Sequence, residues 1–184
     1  EAELVPLRDI ITFTDVPANA YYADAVNWAV LNGVTKGTSE TTFSPDASCT
    51  RAQAVTFLWR AAGSPAPKSS AMPFTDVDAD AYYHDAVLWA VEQDITNGTS
   101  DTTFSPNATC TRAQIVTFLW RSQVSPAAGA VNPFADVADN AYYAEAVKWA
   151  VLEGVTSGTT ATIFSPNDSC TRAQIVTFLY RCLG

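Results

Sequence analysis

C-T-R-A-Q, at residues 49–53, occurs again at 110–114 and at 170–174. Thr followed three residues later by Gln is a capping box. The hydroxyl accepts from the third amide of the helix, and the amide side chain reaches back to the capping residue's own N–H. Three copies predict three helices starting at Thr50, Thr111 and Thr171. Working outward, F-S-P precedes each copy (residues 43–45, 104–106, 164–166), and W-A-V lies further upstream (28–30, 89–91, 149–151). A-Y-Y (20–22, 81–83, 141–143) comes before that, and F-T-D-V or F-A-D-V opens each unit (13–16, 74–77, 134–137). The offset is 61 residues and then 60. A fixed period sets the architecture and multiplies any site by the number of copies.

The chain has 184 residues, about half of them apolar and 11% aromatic, which is a globular composition. Units of about 60 residues are at the margin of independent stability. No apolar run approaches 18 residues, so membrane insertion is not expected. Glu1 without a Met reads as the start of an excised fragment. The net charge of −9 argues against nucleic acid, which needs a clustered basic surface. Six of the seven arginines nevertheless fall at two triplicated positions, Arg51/Arg112/Arg172 and Arg60/Arg121/Arg181.

Each unit parses alike. In the first, Tyr22, Ala25, Val26, Ala29 and Val30 make one apolar helical stripe and predict a helix over about 19–32. Gly33 and Gly154 are placed to terminate it, with Asp94 in the middle unit. A loop of about 16 residues follows, in which Phe43 is expected to pin the chain to the core. The second helix carries Val55, Leu58, Trp59 and Ala62 inward, and Arg60, Arg121 and Arg181 suit its negative C-terminal end. Residues 63–73 and 124–133 are Pro/Ala/Ser-rich linkers. The units span 13–63, 74–123 and 134–184, with 1–12 as the tail of an upstream linker. Two short helices cannot bury both apolar faces alone, so three helical hairpins meeting around a pseudo-threefold axis are expected. The fold class is all-α.

Catalysis finds no support. His84 is the only histidine and occurs in one unit. No acid, base or nucleophile set repeats. Asp76, Asp78 and Asp80 resemble the start of a calcium loop, but Ala81 stands where its glycine belongs and Val87 where its bidentate glutamate belongs. Asn97, Asn107 and Asn167 satisfy the glycosylation sequon and read as turn residues. Cys49, Cys110 and Cys170 read as small buried apolar residues that could meet only on a common axis. Cys170 and Cys182, about 18 Å apart along a helix, are too distant to bridge. No metal or cofactor is expected.

Arg51, Arg112 and Arg172 remain. Each occupies the first position of a capped helix, where free amides and the helix dipole favour an anion and where a guanidinium matches a carboxylate or phosphate bidentately. Two readings stand: an ion pair with Asp15, Asp76 or Asp136, or an anionic ligand. Both can hold, with the Asp orienting the Arg.

The ordered motifs F-x-D-V, A-Y-x-x-A-V-x-W-A-V, G-x-x-x-x-x-F-x-P and T-R-A-x, three times over residues 13–183, resemble the S-layer homology (SLH) domain. The resemblance implies a pseudo-trimeric spindle with a central helical bundle and three prongs, a monomer that imitates a trimer. It implies a secreted, extracellular module of the cell wall or S-layer of a Gram-positive-type bacterium. Its ligand would be a secondary cell wall polysaccharide bearing a pyruvate ketal, bound between adjacent repeats. It assigns ligand binding to Arg51, Arg112 and Arg172, with Gly37, Gly98 and Gly158 as loop glycines. Asp15, Asp76, Asp136, Trp28, Trp89 and Trp149 are candidates for the groove wall. Gln53, Gln114 and Gln174 depart from the family's Glu, and Thr41, Thr102 and Thr162 from its second loop glycine. The residue before the loop glycine varies (Lys36, Asn97, Ser157), so the grooves are expected to be unequal. The competing class is a protein–protein or surface-assembly module. Replacing all three arginines by alanine is expected to abolish wall binding and leave the helices intact.

Overall fold

The computed structural model describes residues 12–184, so the expected linker tail lies, apart from Thr12, outside the described residues. It contains six helices: α1 (Ala23–Leu31), α2 (Arg51–Ala61), α3 (His84–Glu92), α4 (Arg112–Ser122), α5 (Ala144–Leu152) and α6 (Arg172–Leu183), with no strand among the described residues.

The capping boxes form in full at the starts of α2, α4 and α6. Thr50 Oγ1 accepts from Gln53 N at 3.2 Å, and Gln53 Oε1 accepts from Thr50 N at 3.0 Å. Helices α1, α3 and α5 are nine residues each, so α1 is shorter than the expected helix over about 19–32. Their first turn is replaced by tighter i→i+3 turns, with Ala20 N donating to Pro17 O and Ala23 N to Ala20 O, both at 3.0 Å. Tyr22, Tyr83 and Tyr143 occupy the capping position without a side-chain cap. All three helices end at a left-handed residue, Gly33 (φ +71°), Asp94 (φ +56°) or Gly154 (φ +70°), as the sequence suggests.

The two helices of one unit do not pair with each other, which corrects the expected hairpins. Helices α2, α4 and α6 pack together at the centre, and each first helix packs on the second helix of the preceding unit: α3 on α2, α5 on α4 and, closing the ring, α1 on α6. The connections decide this. The loop between the helices of one unit is used to cross to a neighbouring unit, whereas the linkers 63–73 and 124–133 bring the chain back alongside the helix it has just left. The result is a pseudo-threefold bundle with three prongs.

At the hub, Cys49 N donates to Cys170 O (3.0 Å), Cys110 N to Cys49 O (2.8 Å) and Cys170 N to Cys110 O (2.9 Å), a closed ring of three backbone hydrogen bonds. The three side chains are fully buried, and all four cysteines are free. Burial pushes the Cys49 and Cys110 thiols up to about 12, so they stay protonated and unreactive. Phe43, Phe104 and Phe164 are fully buried and pin the three loops, each against the opening Phe of its own unit at 5.6–5.9 Å between centroids. Gly37 (φ +89°) lies so close that a Cβ would meet Phe13 Cε1 at 2.6 Å.

Candidate ligand grooves

The long loops, loop 1 (residues 34–49), loop 2 (95–110) and loop 3 (155–170), place each arginine. Loop 1 reaches α6, where Arg172 N donates to Ala47 O (2.9 Å) and Ala173 N to Pro45 O (3.0 Å). Loop 2 caps α2 in the same way through Ala108 O (2.8 Å) and Pro106 O (3.0 Å), and loop 3 caps α4 through Asp168 O and Pro166 O (both 3.0 Å). With the third amide held by the Thr hydroxyl, the first three donors of each helix are satisfied. The free amides expected for an anion are therefore occupied by a neighbouring unit's carbonyls and the capping hydroxyl, which leaves the guanidinium as the donor at that position.

That guanidinium is held tightly. Arg51 Nε donates to Phe104 O (2.9 Å), Arg112 Nε to Phe164 O (2.9 Å) and Arg172 Nε to Phe43 O (2.8 Å). Each guanidinium also lies 4.8–4.9 Å from the ring centroid of that same Phe, and 5.3–5.5 Å from the ring of Phe118, Phe178 or Phe57 respectively. The residues are only 4–6% exposed. Desolvation pulls their pKa values down, yet the ordinary value stands so far above neutrality that they remain cations.

Asp15, Asp76 and Asp136 do not pair with these arginines; among the described residues the Lys or Arg to carboxylate pair is Lys148–Glu145, and His84 Nδ1 lies 3.2 Å from Asp85 Oδ1. The aspartates grip the loops instead. Asp15 accepts from Phe43 N (2.9 Å) and Ser44 N (2.8 Å), and Asp76 and Asp136 repeat both bonds at 2.8–2.9 Å. Ser44, Ser105 and Ser165 take φ of +57° to +59° there. Burial raises the Asp15 carboxyl, but the two amides and the field of Arg172 outweigh it and leave its pKa below the usual value. The Asp thus orients the Arg indirectly, by fixing the loop whose Phe carbonyl holds Nε.

A groove opens beside each of two of these arginines. The one at Arg172, about 460 Å³, is bounded by loop residues Thr35, Lys36 and Gly37, by Gln53, Thr56 and Arg60 of α2, and by Tyr82. The one at Arg51, about 380 Å³, has Thr96, Asn97 and Gly98, then Gln114, Thr117 and Arg121 of α4, and Tyr142. Each groove draws on all three units. By repeat register the counterparts at Arg112 are Thr156, Ser157, Gly158, Gln174, Thr177, Arg181 and Tyr21; burial raises the Tyr21 phenol, and the fields of Arg112 and Arg181 act against it. Gly158 repeats the loop conformation at φ +87°.

Two groove components were not singled out from the sequence as ligand contacts. Tyr21, Tyr82 and Tyr142 are 59–64% exposed, each propped edge-on by the following Tyr at 5.0 Å. Their signal was the triplicated A-Y-Y. Arg60, Arg121 and Arg181 donate Nη1 to Val34 O, Ile95 O and Val155 O at 3.1–3.3 Å, so they bind a backbone carbonyl, and Arg60 and Arg121 also face the grooves. The tryptophans lie elsewhere. Trp89 and Trp149 are buried in the prongs, and Trp28 packs on Tyr180 at 5.8 Å. No cluster of metal-ligating side chains occurs among the described residues, and no described helix is long and apolar enough to cross a membrane.

Comparison with known proteins agrees with this threefold organisation. The model of the S-layer homology domain matches residues 12–55, 73–116 and 133–176. The surface-layer 125 kDa protein of Lysinibacillus sphaericus is 31% identical over 98% of this chain and 16% of its own length. An endoglucanase of Bacillus sp. (strain KSM-635) is 35% identical over 62% of the chain and 12% of its own length, and an S-layer protein of Bacillus thuringiensis subsp. finitimus is 26% identical over 91% and 21%. The chain thus spans about a fifth or less of each of these relatives.

Proposed function

The chain belongs to the S-layer homology domain family, a cell-surface anchoring module, and from that premise we propose that it binds a secondary cell wall polysaccharide through an acidic sugar substituent of the pyruvate ketal type. The family and the S-layer relatives place it at the cell wall or S-layer, and point to anchoring rather than catalysis. The endoglucanase match covers a small part of that enzyme and fits a module attached to a separate catalytic unit.

The observation that supports the ligand reading is a fixed, largely buried guanidinium lining a groove whose rim carries an exposed tyrosine. A carboxylate needs a cation with spare donors, and Nε alone is spent on the Phe carbonyl, apart from a 3.4 Å contact of Arg172 Nη2 with Thr35 Oγ1. A sugar ring needs an apolar face with a polar edge, which a phenol offers. Threonine hydroxyls and a Gln amide supply donors and acceptors for sugar hydroxyls. Three such sites on one polymer give avidity from weak single contacts. A net charge of −9 opposes a polyanionic wall at long range, so the attraction acts at contact distance.

The test is co-sedimentation with purified walls before and after chemical extraction of the polysaccharide. The native chain pellets with intact walls and stays in the supernatant with extracted ones. Tyr21→Ala, Tyr82→Ala and Tyr142→Ala combined weaken pelleting about tenfold or more, since stacking contributes about 1 kcal/mol per site; the rings are exposed, so the fold keeps its cooperative transition, with a melting temperature lowered only by the loss of the three edge-on Tyr pairs. Pelleting that survives extraction overturns the glycan reading in favour of a protein partner.

A further inference from the structure

The two groove linings repeat almost residue for residue, and the sequence carries the same set once more around Arg112. Thr35, Gln53, Thr56, Phe57, Arg60 and Arg172 around one have their counterparts around Arg51, and by repeat register Thr156, Gln174, Thr177, Phe178, Arg181 and Arg112 are the third set. The chemistry changes at two places. Before the loop glycine stands Lys36 in the first groove, Asn97 in the second and Ser157 in the third. Gly33, which lines the first, is replaced by Asp94 in the second and retained as Gly154 in the third. Both changes act in the same direction. The Arg172 groove holds three cations and no carboxylate, and Lys36 has no ion pair among the described residues. The Arg51 groove holds two cations, and Asp94 shares a neighbouring cleft with one of them, Arg121. In a chain of net charge −9, a three-cation groove is a local exception.

We propose that the grooves are graded by charge, that the Lys36–Arg60–Arg172 groove takes the acidic sugar first, and that Lys36 is the residue setting this order. The proposal rests on the acidic-sugar reading above. One extra cation at a solvated rim strengthens anion binding about threefold to tenfold at low salt, and less as salt screens it.

The amides of Gly37 and Gly98 report the two grooves, and that of Gly158 the Arg112 counterpart, separately in a ¹H–¹⁵N spectrum of the whole chain. The probe is methyl 4,6-O-(1-carboxyethylidene)-N-acetyl-β-D-mannosaminide, a monoanionic pyruvate ketal. Gly37 is expected to saturate at about threefold to tenfold lower concentration than the other two, with the gap narrowing as salt rises. Lys36→Asn brings Gly37 back to the level of Gly98. Asn97→Lys raises Gly98 towards the native Gly37 value; both sites are exposed, so neither change disturbs packing. An order of occupancy that both substitutions leave unchanged overturns the grading while the ligand reading stands. If no glycine responds to the probe in any variant, the ligand reading fails, and the grading with it.

Discussion

Arg112 shows how one residue type serves the fold and the surface together. Its Nε satisfies the Phe164 carbonyl and its plane lies against two phenylalanine rings, while its counterparts Arg51 and Arg172 line open grooves. An arginine at the start of a helix opposes the dipole by a few tenths of a kcal/mol, and these contacts offset that. Arg112→Ala would strand a buried carbonyl and leave a cavity, so it is expected to cost about 2–4 kcal/mol, read as a lower urea midpoint. The triple alanine variant, expected from the sequence to spare the helices, would therefore lose structure along with binding. The exposed tyrosines and Lys36 are the cleaner probes because they carry no buried partner.

The helices starting at Thr50, Thr111 and Thr171 form where T-R-A-Q placed them, because a capping box is local: donor and acceptor lie three residues apart and need no tertiary partner. Thr111→Ala removes the hydroxyl that accepts from Gln114 N at 3.2 Å and is expected to cost about 1 kcal/mol, measurable as a drop in thermal midpoint. The first helices were harder to delimit. An apolar stripe records which residues face inward, and residues in successive turns can do so as well as residues in a helix. That is why the helix read over about 19–32 from this stripe is longer than Ala23–Leu31.

The whole molecule is a closed ring in which every prong joins two units. An excised unit, residues 74–123, contains α3 and α4 but neither of their prong partners, α2 and α5. It is expected to show no cooperative thermal transition by circular dichroism. Residues 51–92, which keep the α2–α3 pair together, are expected to retain more helical signal despite being shorter. Equal helicity in the two fragments would contradict the cross-unit pairing. The hub makes the same point, since each of its three backbone bonds links cysteines about 60 residues or more apart in sequence.

The sequence by itself determined the repeat, the helical class, the three capped helices, the pinned loop and the triplicated arginines, because each is written in local spacing or in recurrence. Tertiary structure alone decided which helix pairs with which, that a neighbour's loop occupies the helix-end amides, that Asp15 and its copies grip backbone rather than guanidinium, and that tyrosine rather than tryptophan rims the grooves. In each case the partner lies in another turn, loop or unit. Three equivalent units offer several equally apolar ways to pair, and only the lengths and paths of the connecting segments select among them.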